Sequence, residues 1–111
     1  MSCNPGELVA IPFPYTDLKT KKRRPVLVMT TPDRHDDFIG LAVTSVPTET
    51  LSVPIGEKSI ASGRLPKPSW VRCDKVFTLR QGDVVGSYGC LKNDVFSEVR
   101  RVMCENLGCK N

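Results

Sequence analysis

The apolar residues of this chain change period once. As far as Cys90 they come in short β-type runs broken by proline, glycine and polar residues; from Asn93 they recur at helical spacing. "ELVAIPF" (Glu7–Phe13), "PVLVMTT" (from Pro25), "FIGLAVTSV", "LSVPI" and "WVRCDKVFTL" all read as strands, and "DVVGSYGC" as a sixth, irregular one. Pro12 predicts an end or a bend in the first strand, while Pro25 suits a first strand position. Between the first two strands, "PYTDLKTKKRR" reads as a polar loop, and "PDRHDD", with the only histidine, His35, as a turn. "GEKSIASGRLPKPS" reads as a loop with room for one short strand.

The last segment, "NDVFSEVRRVMCENLG", places Val95, Phe96, Val99, Val102, Met103 and Leu107 on one stripe of a helix. Asn93 suits its N-cap, Asp94 the positive helix start and Gly108 the C-terminal stop. Strands followed by one amphipathic helix give a mainly β chain: a small, strongly bent sheet or barrel with a C-terminal helix packed on it. At 111 residues one domain is expected, residues 1–111, with the barrel at about 6–91 and the helix at about 93–107.

Five cysteines without a CxxC pair argue against a secreted disulfide scaffold and against a structural zinc site. They read mostly as small apolar residues in a reducing compartment, with Cys3 and Cys109, near the ends, as candidate reactive thiols. Nothing at the N-terminus reads as a signal peptide, and no run approaches the roughly 18 apolar residues of a membrane span. A cytoplasmic protein with no membrane association is expected. No metal site and no cofactor are expected.

Against that background one cluster stands out. Five cations occupy the six residues from Lys19 to Arg24, directly before Pro25. A charge run is usually a solvated loop. It can also form a phosphate clamp, because arginine's planar fork matches phosphate oxygens and lysine adds point charge. Pro25 restrains the backbone at Arg24, which makes that cation the best positioned of the run. Thr44 and Ser45, at the end of the third strand, either cap a turn or donate to a phosphate. Arg72 and Asp74, two apart on a strand, face the same side as Trp70, with Val71, Cys73 and Lys75 on the other. They form either a surface ion pair or an acid–base pair. Trp70, after "LPKPS", reads as a core residue. The net charge of +4 fits a nucleic-acid binder without requiring one.

Taken in order, "GELVAIPFPYTDLKTKKRRPVLVMT", "VTS", "WVRCDKVFTL" and a terminal helix resemble the MazF/PemK family of toxin endoribonucleases. Gly6 to Ile11 match its opening strand pattern, and Arg24-Pro25 its Arg-Pro entry into the second strand. The resemblance implies an SH3-like barrel that forms a homodimer. It also implies metal-independent, sequence-specific cleavage of single-stranded RNA or mRNA, held in check by a cognate antitoxin whose tail covers the RNA site. In one branch the functional residues correspond to Arg24 and Thr44; in the PemK-like branch, to Arg72 and Asp74 of an Arg-Cys-Asp triplet. The histidine that the PemK-like branch carries in its first loop is missing from "PYTDLKTKKRR", as is a glycine-rich GxEQ-type loop.

The implied chemistry is attack of a ribose 2′-OH on the adjacent phosphorus. Asp74 is the one carboxylate in the matched motifs that could take the proton, while Arg24, Arg72 and Thr44 would stabilise charge on the phosphate. Lys19, Lys21, Lys22, Arg23 and Ser45 would bind the RNA backbone. The competing readings are a CcdB-like gyrase-directed toxin, which uses the same fold as a protein-binding surface, and a catalytically silent SH3-like binding module.

Overall fold

The computed structural model describes residues 3–14 and 21–109, with the backbone alone at 13–14 and 21–22. Its strands are β1 (Glu7–Pro14), β2 (Lys21–Val28), β3 (Asp37–Thr44), β4 (Ser52–Ile55), β5 (Ile60–Gly63), β6 (Ser69–Arg80) and β7 (Gly86–Leu91), followed by helix α1 (Asn93–Leu107). The seven strands form one curled antiparallel sheet in the order β4-β6-β3-β2-β1-β7-β5. The short strand left open in "GEKSIASGRLPKPS" is β5, which makes the seventh. Among the described residues no helix is long and apolar enough to cross a membrane.

Both faces of the central strands are covered, which explains the unbroken apolar run of β2. Leu8, Leu27, Leu41, Val43, Val71 and Cys73 pack on one side with Phe96 and Val99 of α1. Their neighbours Val9, Val26 and Val28 pack on the other with Ile11, Phe38, Val84 and Cys3. Residues that alternate along a strand therefore serve two separate clusters.

The structure corrects the sequence reading at several points. The second strand begins at Lys21 rather than Pro25, and the first runs through Pro12 to Pro14. The partner strand supplies the reason: Pro12 pairs with Arg23, Ala10 with Pro25 and Pro14 with Lys21. β3 pairs with β2 only from Val26 onward, and β7 pairs with β1 only as far as Ala10. Beyond those points β1 and β2 form a two-stranded arm with, among the described residues, one neighbour each, where a missing N–H disrupts no second ladder. Four of the five cations thus lie on a strand. Lys19 lies outside the described residues, as do the side chains of Lys21 and Lys22.

Asn93 is the first residue of α1 rather than its N-cap, which is Lys92, and Asp94 Oδ1 accepts the Val95 N–H at 2.9 Å in the first turn. Gly108 closes the helix in the left-handed conformation, as its position suggests. Leu107 is exposed because the apolar stripe ends at Met103. Cys3 is buried rather than reactive, and burial pushes its thiol pKa up. His35 sits in the expected turn, its N–H donating to Asp33 Oδ1 at 2.8 Å.

Two glycines allow the β5 edge to close on β7. Gly63 and Gly89 both have positive φ, and a Cβ at Gly89 would stand 2.0 Å from the Ser62 carbonyl oxygen. No other residue fits that approach. It brings the chain leaving β5 beside Tyr88, whose carbonyl accepts from the Arg64 N–H at 2.7 Å.

Candidate functional site

A cleft of about 360 Å³ opens where the β1–β2 arm leaves the sheet. Arg23 and Arg24 line it from β2, Thr44 and Ser45 from the end of β3, Lys67 from the β5–β6 loop and Tyr88 from β7. Three cations face the cleft, and among the described residues no carboxylate lines it. Two of the motifs that are remote in sequence, Arg24-Pro25 and Val43-Thr44-Ser45, therefore meet in one place.

Arg24 pairs with Ile11 in the β1–β2 ladder, so it lies on the face that buries Ile11 and Val26. It is half-buried, with its Nε shielded from solvent. The side chain is thereby held by the sheet, as Pro25 suggests.

Thr44 serves two purposes. Its Oγ1 accepts the Val46 N–H at 3.1 Å, the turn cap that such a position favours. A hydroxyl engaged as an acceptor still has a proton to donate, so the cap orients a donor at the cleft wall.

Lys67 was not a candidate in the sequence. Pro66 and Pro68 stiffen its loop, and the buried Ser69 hydroxyl donates to the Lys67 carbonyl at 2.9 Å. The signal was present in "LPKPS": a cation between two prolines is a fixed cation. Tyr88 carried no local signal, since only the β5–β7 pairing brings it to the cleft.

Arg72 and Asp74 do not line this cleft. They lie on β6, where Thr44 pairs with Trp70 and Ala42 with Arg72. Thr44, Trp70 and Arg72 therefore share a face, with Arg72 diagonal to Thr44 at roughly 7–8 Å between Cα atoms. Trp70 is half-buried there rather than a core residue. The register of β6 against β3 jumps at Leu41/Ala42, from Val76 to Arg72, which places Asp74 in a bulge.

The bulge is anchored through Cys73. Its N–H donates to the Leu51 carbonyl at 2.9 Å, and its own carbonyl accepts from Asn106 Nδ2 of α1 at 3.2 Å. Its buried thiol has its pKa pushed up to about 11 by desolvation, so Cys73 is a packing residue.

With Cys73 turned inward, Arg72 and Asp74 turn outward and bond fork to fork. Nε reaches Oδ1 at 3.2 Å and Nη2 reaches Oδ2 at 2.8 Å. This hydrogen bonding holds the Asp74 carboxyl below the usual carboxylate range and raises Arg72. Asp74 is thus ionised at neutral pH, but both its oxygens are occupied. Among the described residues no three His, Cys, Asp or Glu side chains cluster as metal ligands.

Comparison with known proteins identifies the fold and the family. The structure superposes on an endoribonuclease in complex with its cognate antitoxin from a mycobacterial species, at TM-score 0.77 and 17% identity, covering 99% of each chain. It superposes on MazF of a MazE–MazF complex from Deinococcus radiodurans at TM-score 0.76 and 22% identity, again covering 99% of each chain. The Mycobacterium tuberculosis toxin MazF-mt6 gives TM-score 0.75 at 17% identity, over 95% of this chain and 99% of that one. No curated protein matches the sequence. Residues 4–107 match the family described as PemK-like, MazF-like toxin of type II toxin-antitoxin system, and the chain belongs to that family.

Proposed function

We propose that this toxin is an endoribonuclease that cuts single-stranded RNA, mRNA included, at restricted sequences and without a metal ion. The observation that carries the reading is the cleft in which Arg24, Thr44 and Lys67 converge and to which no described residue brings a carboxylate. Such a cleft suits a phosphodiester that gains negative charge during reaction. The fold shared with endoribonuclease toxins supports the same reading.

In this reading the scissile phosphate lies against Arg24 and the Thr44 hydroxyl, with Arg23, Ser45 and Lys67 on the flanking backbone. Lys19, Lys21 and Lys22, whose side chains lie outside the described residues, are expected to add contacts to the RNA backbone. The substrate phosphate competes for the fork of Arg72, and that exchange frees an Asp74 oxygen. Asp74 then takes the proton of the 2′-OH as its oxygen attacks phosphorus. The bond to the 5′-oxygen breaks, and that oxygen leaves as a hydroxyl after taking up a proton. The products carry a 2′,3′-cyclic phosphate and a 5′-hydroxyl. The toxin acts in the cytoplasm as a homodimer of single-domain chains, and a cognate antitoxin silences it by covering the cationic cleft.

The test is a cleavage assay with a long unstructured RNA and its DNA equivalent in EDTA. Discrete cuts in RNA alone, lost in Arg24→Ala, are expected. A folded protein that leaves every RNA intact, yet inhibits DNA supercoiling, would overturn the reading in favour of a gyrase-directed toxin.

A further inference from the structure

Helix α1 ends in a Schellman motif. The Cys109 N–H donates to the Cys104 carbonyl at 2.8 Å, and the Gly108 N–H to the Glu105 carbonyl at 3.2 Å, with Gly108 left-handed between them. This motif commonly brings the side chains three residues before the helix cap and two after it into contact. Here both of those side chains are cysteines. Both thiols are free, Cys104 half-buried and Cys109 exposed. The Cys104 thiol beside it raises the Cys109 pKa. A direct backbone hydrogen bond of this length leaves the two Cα atoms no more than about 6.7 Å apart. That is inside the roughly 4.4–6.8 Å that disulfides span.

We propose that Cys104 and Cys109 form a reversible intramolecular disulfide, accepting oxidation from a small disulfide of the glutathione class. Cys109, the exposed thiol, gives up its proton and attacks one sulfur of the oxidant, expelling one glutathione as its thiol. Cys104 then gives up its proton and attacks the Cys109 sulfur, expelling the second. Two protein thiols lose two electrons to one disulfide, which is reduced to two thiols, and both protons end on glutathione. Cys3 and Cys73 are buried and take no part. Asn106, whose amide holds the Cys73 carbonyl, lies inside the closed loop, so the bond pins the helix turn behind the Arg72–Asp74 bulge.

The inference does not rest on the nuclease reading, because its readout is covalent. The full chain is incubated with oxidised glutathione, its remaining thiols are alkylated, and it is digested. Trypsin leaves both cysteines in one peptide, residues 102–110. The expected result is that this peptide lacks two hydrogens and escapes alkylation, that its halves stay joined after cleavage at Glu105, and that dithiothreitol reverses the change. Cys104→Ser and Cys109→Ser should each abolish it completely. A lasting glutathione adduct on Cys109, a crosslink through any other cysteine, or full alkylation of both thiols would each overturn the proposal.

Discussion

The Arg24 cleft and the Arg72–Asp74 pair each present an arginine on the same face of the sheet, but they are prepared differently. Arg24 sits on a two-stranded arm, partly buried, facing a cleft that no described carboxylate lines. Arg72 sits in a bulged strand with its fork already filled by Asp74. A half-buried cation in a cleft to which no described residue brings a carboxylate suits an anion. Arg72 must exchange its carboxylate partner, which favours a substrate able to offer bidentate oxygens. In the proposed function the first binds phosphate and the second enters a step that begins only when substrate displaces the ion pair.

The strongest way to break this comparison is Arg24→Ala. Loss of a fixed donor to developing charge should lower RNA cleavage about 10³-fold, with an unchanged circular dichroism spectrum. Near-full activity in that variant would move the chemistry to β6. Next is Asp74→Asn, expected to cost about 10²-fold in kcat, the lower end for a general base, because the Arg72 bond leaves a weakly basic carboxylate. Its effect on folding should be only about 0.2–1 kcal/mol in a denaturant titration, since the pair is partly exposed.

The same pairing sets a pH signature. Asp74 is held below the usual carboxylate range, so kcat/KM for the wild type should stay flat as pH falls through that range and drop only beneath it. The pair's contribution to stability follows the same sign: full above the ordinary carboxylate pKa, lost as pH falls through the lowered one. A drop in kcat/KM near neutral pH would assign proton abstraction to another group.

Two smaller effects sharpen the contrast. Lys67→Ala should weaken RNA binding and reduce the slope of log affinity against log salt by about 0.7, the value for one phosphate contact on a single strand. Asn106→Ala removes the hydrogen bond that holds the bulge from the helix side. It should cost about 1 kcal/mol of stability and lower kcat a few-fold while leaving the salt slope unchanged.

The sequence and the structure agree best where a pattern is local. The alternation of Val71, Arg72, Cys73 and Asp74, the helical stripe from Val95 to Met103 and the Gly108 stop were all legible, because backbone periodicity sets side-chain direction. The β2 half of the arm was misread as a loop, because its cations carry poor strand propensity. There the β1–β2 ladder outweighs propensity, and the absence of a second neighbour accommodates Pro12 and Pro25.

The sequence by itself thus determined the mainly β chain with its terminal helix, the family, and the motifs around Arg24, Thr44 and Asp74. Only the tertiary structure decided which of them meet. Strand register, a long-range property that no short window encodes, brings Arg24 to Thr44, adds Lys67 and Tyr88, and leaves Arg72 and Asp74 beside the cleft, bonded to each other.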